Sequence, residues 1–189
     1  MHIREALEKY APYNEQERVD REVMLHCLDT MPDVLTRDNL LCHFTASAWI
    51  VNPARDRVLF AYHNIYDCWT WIGGHADGMS DMLEVALKEA EEETGVSGAV
   101  PVFEDIFSLE TVHVDPHIKR GKYVPDHEHF NITYLIEAGE DEVLRPKLDE
   151  NSGVRWVDFK EAVDDNPEPA IKIVFSKIVE KVRSLQQGN

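Results

Sequence analysis

The chain has 189 residues, 43% apolar and 29% charged, which suits one compact domain with an added segment and is too apolar for a disordered chain. Its formal net charge of −17 excludes nucleic-acid polymers and anionic membrane surfaces as natural partners, since both are held by Lys and Arg against phosphate. The cysteines, Cys27, Cys42 and Cys68, are odd in number and widely spaced, so they are expected as free thiols in a reducing compartment. With no signal-type leader and no apolar run near the roughly 20 residues of a membrane span, a soluble cytoplasmic protein is expected.

In chain order, Leu7 and Tyr10 suggest a short helix that Pro12 ends. Asn14 and Glu17 have capping-box spacing and open a second helix, whose apolar face is read as Val19, Val23, Leu25, His26 and Leu28. Residues 1–39 are taken as an N-terminal helical extension, and residues 40–189 as the main domain. Residues 43–51 and 58–62 read as a hairpin of strands around the turn residues Asn52, Pro53 and Asp56. A short strand over 69–72 runs into Gly73 and Gly74. Residues 81–94 form a helix, with Asp81 or Ser80 as its cap and Gly95 as its stop. Strands follow over 100–114, 130–137 and 154–157. A last helix over 170–185 places Ile171, Val174, Phe175, Ile178, Val179 and Val182 on one stripe. The pattern predicts an α/β (α+β) fold, a mixed sheet sandwiched between helices.

The chemistry concentrates on the helix over 81–94. Glu89, Glu92 and Glu93 stand at i, i+3 and i+4, so they share one flank and repel one another. They also sit at the C-terminal end, where the helix dipole favours cations. A solvated acidic face explains the cluster by itself. The double glycine upstream changes the balance, because it lets backbone carbonyls come close to an ion. A divalent cation would resolve the conflict, Mg²⁺ being the hard ion that takes carboxylate oxygens together with substrate phosphates.

Residues 74–96 resemble the Nudix box. Gly74, Glu89, Glu92, Glu93, Gly95 and Val96 match that motif in register. Ser80 stands where the motif has Glu, Lys88 replaces its Arg without the planar fork, and Ala90 fills an aliphatic position. The resemblance implies a Nudix hydrolase with a Nudix-like fold. It implies a diphosphate bond cleaved in a nucleoside diphosphate-linked or related small molecule, with Mg²⁺, or Mn²⁺ in its place, as cofactor. The ligands it implies are the Gly73 carbonyl, Glu89, Glu92 and Glu93. A general base from a later segment is Glu128 or Glu150, with Glu128 preferred. Gly74, His75, Lys88, Tyr62, Lys119 and Arg120 are the expected substrate contacts, and a homodimer is the expected assembly.

Other residues carry alternatives. His113, His117, His127 and His129 lie around Lys119, Arg120 and Lys122. They suit phosphate contacts or acid–base work and match no familiar zinc spacing. His43, His63 and His75 read as structural hydrogen-bonding residues near strand ends. Tyr62, Trp69 and Trp71 could stack a base, though core packing accounts for at least two of them. Two rival functions stand behind the hydrolase. One is a catalytically inactive nucleotide-binding module, suggested by Ser80 and Lys88. The other is an isopentenyl-diphosphate isomerase-like enzyme, suggested by His127, Glu128, His129, Phe130 and Tyr134 but lacking that family's cysteine segment.

Overall fold

The computed structural model describes residues 1–119 and 121–187. In chain order the elements are α1 (Ile3–Lys9), α2 (Glu15–Thr30), β1 (Cys42–Val51), β2 (Arg57–His63), β3 (Cys68–Thr70), β4 (Ile72–His75), α3 (Met82–Thr94), β5 (Val100–Pro101), β6 (Ser108–Val114), β7 (His117–Lys119), β8 (Lys122–Val124), β9 (His127–Glu137), β10 (Asn151–Asp158), α4 (Phe159–Asp164) and α5 (Pro169–Gln187). The main sheet has the strand order β10-β2-β1-β9-β5, with β3 on β2, β4 on β1 and β6 on β9, while β7 and β8 pair apart from it. This is the α/β (α+β) arrangement expected, a mixed sheet with helices packed on it. Contacts divide the chain into two compact units: Met1–Ser47, Gly73–Ala86 and Glu104–Tyr134 in the first, and Ala48–Ile72, Leu87–Phe103 and the chain from Leu135 on in the second.

The first unit has a polar interior. Asn14 Oδ1 accepts the Glu17 N–H at 3.0 Å and starts α2. The Glu17 side chain turns inward instead of closing a reciprocal box. It accepts the Tyr10 hydroxyl at 2.6 Å, the Tyr13 N–H at 2.7 Å and the Ser108 hydroxyl at 3.0 Å. Around it, Asn131 Nδ2 donates to Glu110 at 3.3 Å, and the hydroxyls of Thr45 and Ser47 donate to Asn131 Oδ1 at 3.1 and 2.8 Å. Buried polar groups persist when hydrogen-bonded in this way. The buried stripe of α2 is therefore Glu17, Met24 and Cys27, whereas Val19 and Val23 face solvent. The apolar face read from the sequence was wrong, because an acidic residue belongs to the stripe that packs on β6.

Several boundaries also move. The strand expected over 69–72 is split, and Gly73, Gly74 and His75 lie within β4. Gly73 is there because a Cβ would meet Ala46 O at 2.6 Å and Ser47 Oγ at 2.7 Å, so β4 approaches the backbone of β1 more closely than a side chain permits. Of the expected strand over 100–114, only Val100–Pro101 and Ser108–Val114 are extended. β9 begins at His127, three residues early, because its ladder with β6 continues to Val114↔His127. The helix α4 was missed, although Asp158 Oδ1 accepts the Glu161 N–H at 2.8 Å in a cap that the D-x-x-E spacing announces. As expected, Asp81 accepts the Glu84 N–H at 3.3 Å and Gly95 takes φ +75° at the end of α3, and the three cysteines are free and buried.

The second unit has an aromatic core. Trp49 of β1, Phe60 of β2 and Trp71 converge on Phe175 of α5, each with a ring centroid 5.2 Å from it. Residues Val174 and Ile171 belong less to the interior than Phe175, Ile178, Val179 and Val182. Phe175 is fully buried, so Phe175→Ala should destabilise the protein by about 3–5 kcal/mol. A urea unfolding curve checks this; a change under about 1 kcal/mol would show that α5 does not depend on this contact.

Candidate active site

The end of α3 places the carboxylates. Its last carbonyls are met by a chain segment of the same unit: the Arg145 N–H donates to Thr94 O at 2.7 Å and the Lys147 N–H to Glu93 O at 3.4 Å. The three glutamates differ in environment. Glu93 is buried, at 5% exposure. Its Oε2 accepts the Asn151 Nδ2 at 2.8 Å. The Glu89 side chain is 13% exposed and that of Glu92 41%.

Two lysines serve this cluster. Lys88 Nζ stands 3.3 Å from Glu89 and 3.2 Å from Glu92. Lys147 Nζ stands 3.4 Å from Glu92 and 3.1 Å from Glu150. The Lys88 hydrogen bond and charge, with those of Lys147, hold the Glu92 carboxyl below the usual glutamate range. Partial burial works against the charged form of both lysines, yet the neighbouring carboxylates raise them above the ordinary value. The repulsion expected among the glutamates is thus relieved by two ammonium groups, each more than a quarter exposed.

The donor set suits a hard divalent cation. All its groups are oxygens, and Asn151, wholly buried beside Glu93, has an Oδ1 with no hydrogen-bond partner. Such an acceptor is costly unless something electropositive satisfies it. Lys147 and Asn151 were not found from the sequence. Their only signal was proximity to Glu150, which was singled out as a candidate base and here shares Lys147 with Glu92.

The remaining residues fall elsewhere. Glu128 lies in β9 opposite His113. Its Oε1 accepts from His113 Nδ1 at 3.0 Å. Gly73, Gly74 and His75 form β4 with Ile72. Tyr62 donates its hydroxyl to Asp67 Oδ1 at 2.8 Å and meets Trp69 edge-on, with the Arg155 guanidinium 4.4 Å over the Trp69 ring. Lys119 ends β7, and Arg120 lies outside the described residues.

Histidines from separate strands come together in the first unit. The ring centroid of His43 lies 5.2 Å from that of His75 and 4.9 Å from those of His127 and His129. Burial, with the neighbouring imidazoles and the charges of Arg37 and Lys119, pushes His75 down to about 2. Burial with His43, His127 and the Lys119 charge pushes His129 down to about 3. These rings are neutral at ordinary pH. Sequence reading missed the grouping, because His43 and His75 come from strands remote in sequence from 127–129.

The family model of the NUDIX domain matches residues 43–177. A search of curated proteins found no match. Among solved structures, the chain resembles a C. elegans Ap4A hydrolase binary complex, at 17% identity, TM-score 0.57, covering 77% of this chain and 98% of that one. It resembles a MutT protein from Methanosarcina mazei Go1 at 18% identity, TM-score 0.53, covering 73% and 93%. It also resembles the E. coli dihydroneopterin triphosphate pyrophosphohydrolase at 12% identity, TM-score 0.52, covering 72% and 94%. At these identities the structural likeness speaks for the fold.

The His113–Glu128 pair has a direct test. Hydrogen bonding to Glu128, then its charge, raises His113 above the usual histidine value. The imidazolium is therefore present at low pH, and the pair is lost as pH rises through that raised value. In Glu128→Gln the NMR titration midpoint of His113 should move down; an unmoved midpoint would dissolve the pairing.

Proposed function

The chain belongs to the NUDIX domain family, and from that premise we propose that it is a metal-dependent hydrolase of a diphosphate bond in a nucleoside diphosphate-linked or related small molecule. The observation that carries this reading is the oxygen-only cluster of Glu89, Glu92 and Glu93, with Asn151 buried against Glu93. These residues would hold Mg²⁺, or Mn²⁺ in its place. The family resemblance adds the Gly73 carbonyl to the ligands and Glu128 as the base. When bound, the ion supplies Lewis-acid charge to the diphosphate and acidifies a water.

The chain's own residues do the rest by positioning. Asn151 fixes one Glu93 oxygen, so that carboxylate keeps its orientation whether or not it is loaded. Glu92 is held between two lysines, and either ammonium can turn to a phosphate oxygen once a cation takes the carboxylate. That gives Lys88 a role at the substrate and offsets, locally, the −17 charge that would repel an anion. Gly74, His75, Tyr62, Lys119 and Arg120 complete the proposed substrate contacts. The proposal also includes residues 1–39 as a helical extension, a cytoplasmic location and a homodimeric assembly. Among the described residues no helix is long and apolar enough to cross a membrane.

The test is turnover. Release of phosphate or monophosphate from a panel of nucleoside triphosphates, sugar nucleotides and dinucleotides, with and without Mg²⁺, should reveal a metal-dependent substrate. Glu93→Gln, which keeps shape while removing charge, should lower kcat by roughly 100-fold or more with an unchanged circular dichroism spectrum. Binding without turnover across the panel, or full activity in Glu93→Gln, would overturn the reading.

A further inference from the structure

We propose that His43, His75 and His129 form a binding site for a borderline-soft transition-metal ion of the Zn²⁺ type, separate in chemistry from the carboxylate cluster. Each of the three offers a nitrogen, and these nitrogens all lie within 4.8 Å of one another. They come from β1, β4 and β9.

The site is built inward from its backbone partners. His43 is 4% exposed. Its Nδ1 faces Asn39 O at 3.1 Å, which can only accept, so Nδ1 carries the proton and Nε2 a lone pair. That Nε2 is buried and has no hydrogen-bond partner. A ligating imidazole usually has this arrangement, one nitrogen tethered to a carbonyl and the other bare. His127, at 6% exposure, is tethered in the same way, its Nδ1 facing Pro125 O at 2.8 Å, while its Nε2 is hydrogen-bonded to His129 Nε2 at 3.2 Å. A tetrahedral ion with Zn–N bonds of about 2.0–2.1 Å needs nitrogens about 3.3 Å apart, closer than the 4.8 Å within which this trio lies. The wider trio would close by small ring rotations.

Four imidazoles in one place are an expensive way to fill space, because a buried nitrogen without a partner costs more than an apolar side chain of the same shape. An ion would satisfy the orphaned nitrogen. Imidazole nitrogen as a ligand suits Zn²⁺, Cu²⁺ or Ni²⁺ better than Mg²⁺, which takes oxygen. Loading would pin β4 to β1 and β9 through His75, two residues along the strand from Gly73.

The inference does not depend on the hydrolase reading, and its test keeps the two apart. The full chain is titrated with Zn²⁺ by calorimetry in excess Mg²⁺, with metal analysis after dialysis. One equivalent should bind, and Glu92→Gln and Glu93→Gln should still bind it. His75→Ala and His129→Gln, each verified as folded by circular dichroism, should weaken it by about 100-fold or more, beyond the roughly 10–100-fold typical of losing an outer-shell partner. In the unaltered chain, Zn²⁺ should shift the imidazole NMR signals of His43, His75 and His129 and leave His2 and His26 in place, a readout that survives a variant's failure to fold. No stoichiometric uptake, uptake indifferent to both histidine variants, uptake lost with Glu93→Gln, or shifts confined to His2 and His26 would overturn the proposal.

Discussion

Three carboxylates on the final turns of one helix are the constraint around which its surroundings are arranged. Like charges at i, i+3 and i+4 repel, and the negative end of the helix dipole adds to the repulsion. Around them the chain places two lysines, a wholly buried asparagine and two backbone N–H groups that meet the last helix carbonyls. The exposed ion pairs are each worth under about 1 kcal/mol, so they do not exist for stability. Glu93 is buried and tied to Asn151, whereas Glu92 is more exposed and bridged by two ammonium groups.

The two units solve the burial problem differently. The second closes on aromatic rings: Trp49, Phe60 and Trp71 against Phe175. The first surrounds two buried carboxylates, Glu17 and Glu110, with hydroxyl and amide groups. Polar networks of this kind have strict geometry, and fully satisfied ones favour a single arrangement over many similar ones. The same unit holds the imidazole group, where satisfaction is incomplete at His43. That difference separates the two clusters: one is closed by protein partners, the other leaves a lone pair facing inward.

The departures from expectation have specific origins. The face of α2 was misread because hydrophobic periodicity assumes that the buried stripe is apolar, and Glu17 violates this with hydrogen bonds from residues near it in sequence and from Ser108, far along the chain. β4 took in both glycines, and at Gly73 a close backbone approach to β1 leaves no room for a side chain, whereas the turn chemistry of glycine suggested a loop. β9 began early because its length is set by the partner strand β6, which single-strand composition does not report.

Local spacing along the chain was enough to establish the acidic flank of α3, its start at Ser80 or Asp81, its stop at Gly95, the turn at Asn52 and the apolar stripe of α5. Each depends on residues within one or two helical turns or one tight turn, where covalent geometry dictates who meets whom. The tertiary structure alone decided that Asn151 would orient Glu93, that Lys147 would join Lys88 at Glu92, and that His43, His75, His127 and His129 would share one interior. Apart from His127 and His129, those partners are separated by tens of residues, and their meeting is set by strand pairing and chain reversal, whose energetics are spread over the whole sheet and leave no mark on the spacing of the residues themselves.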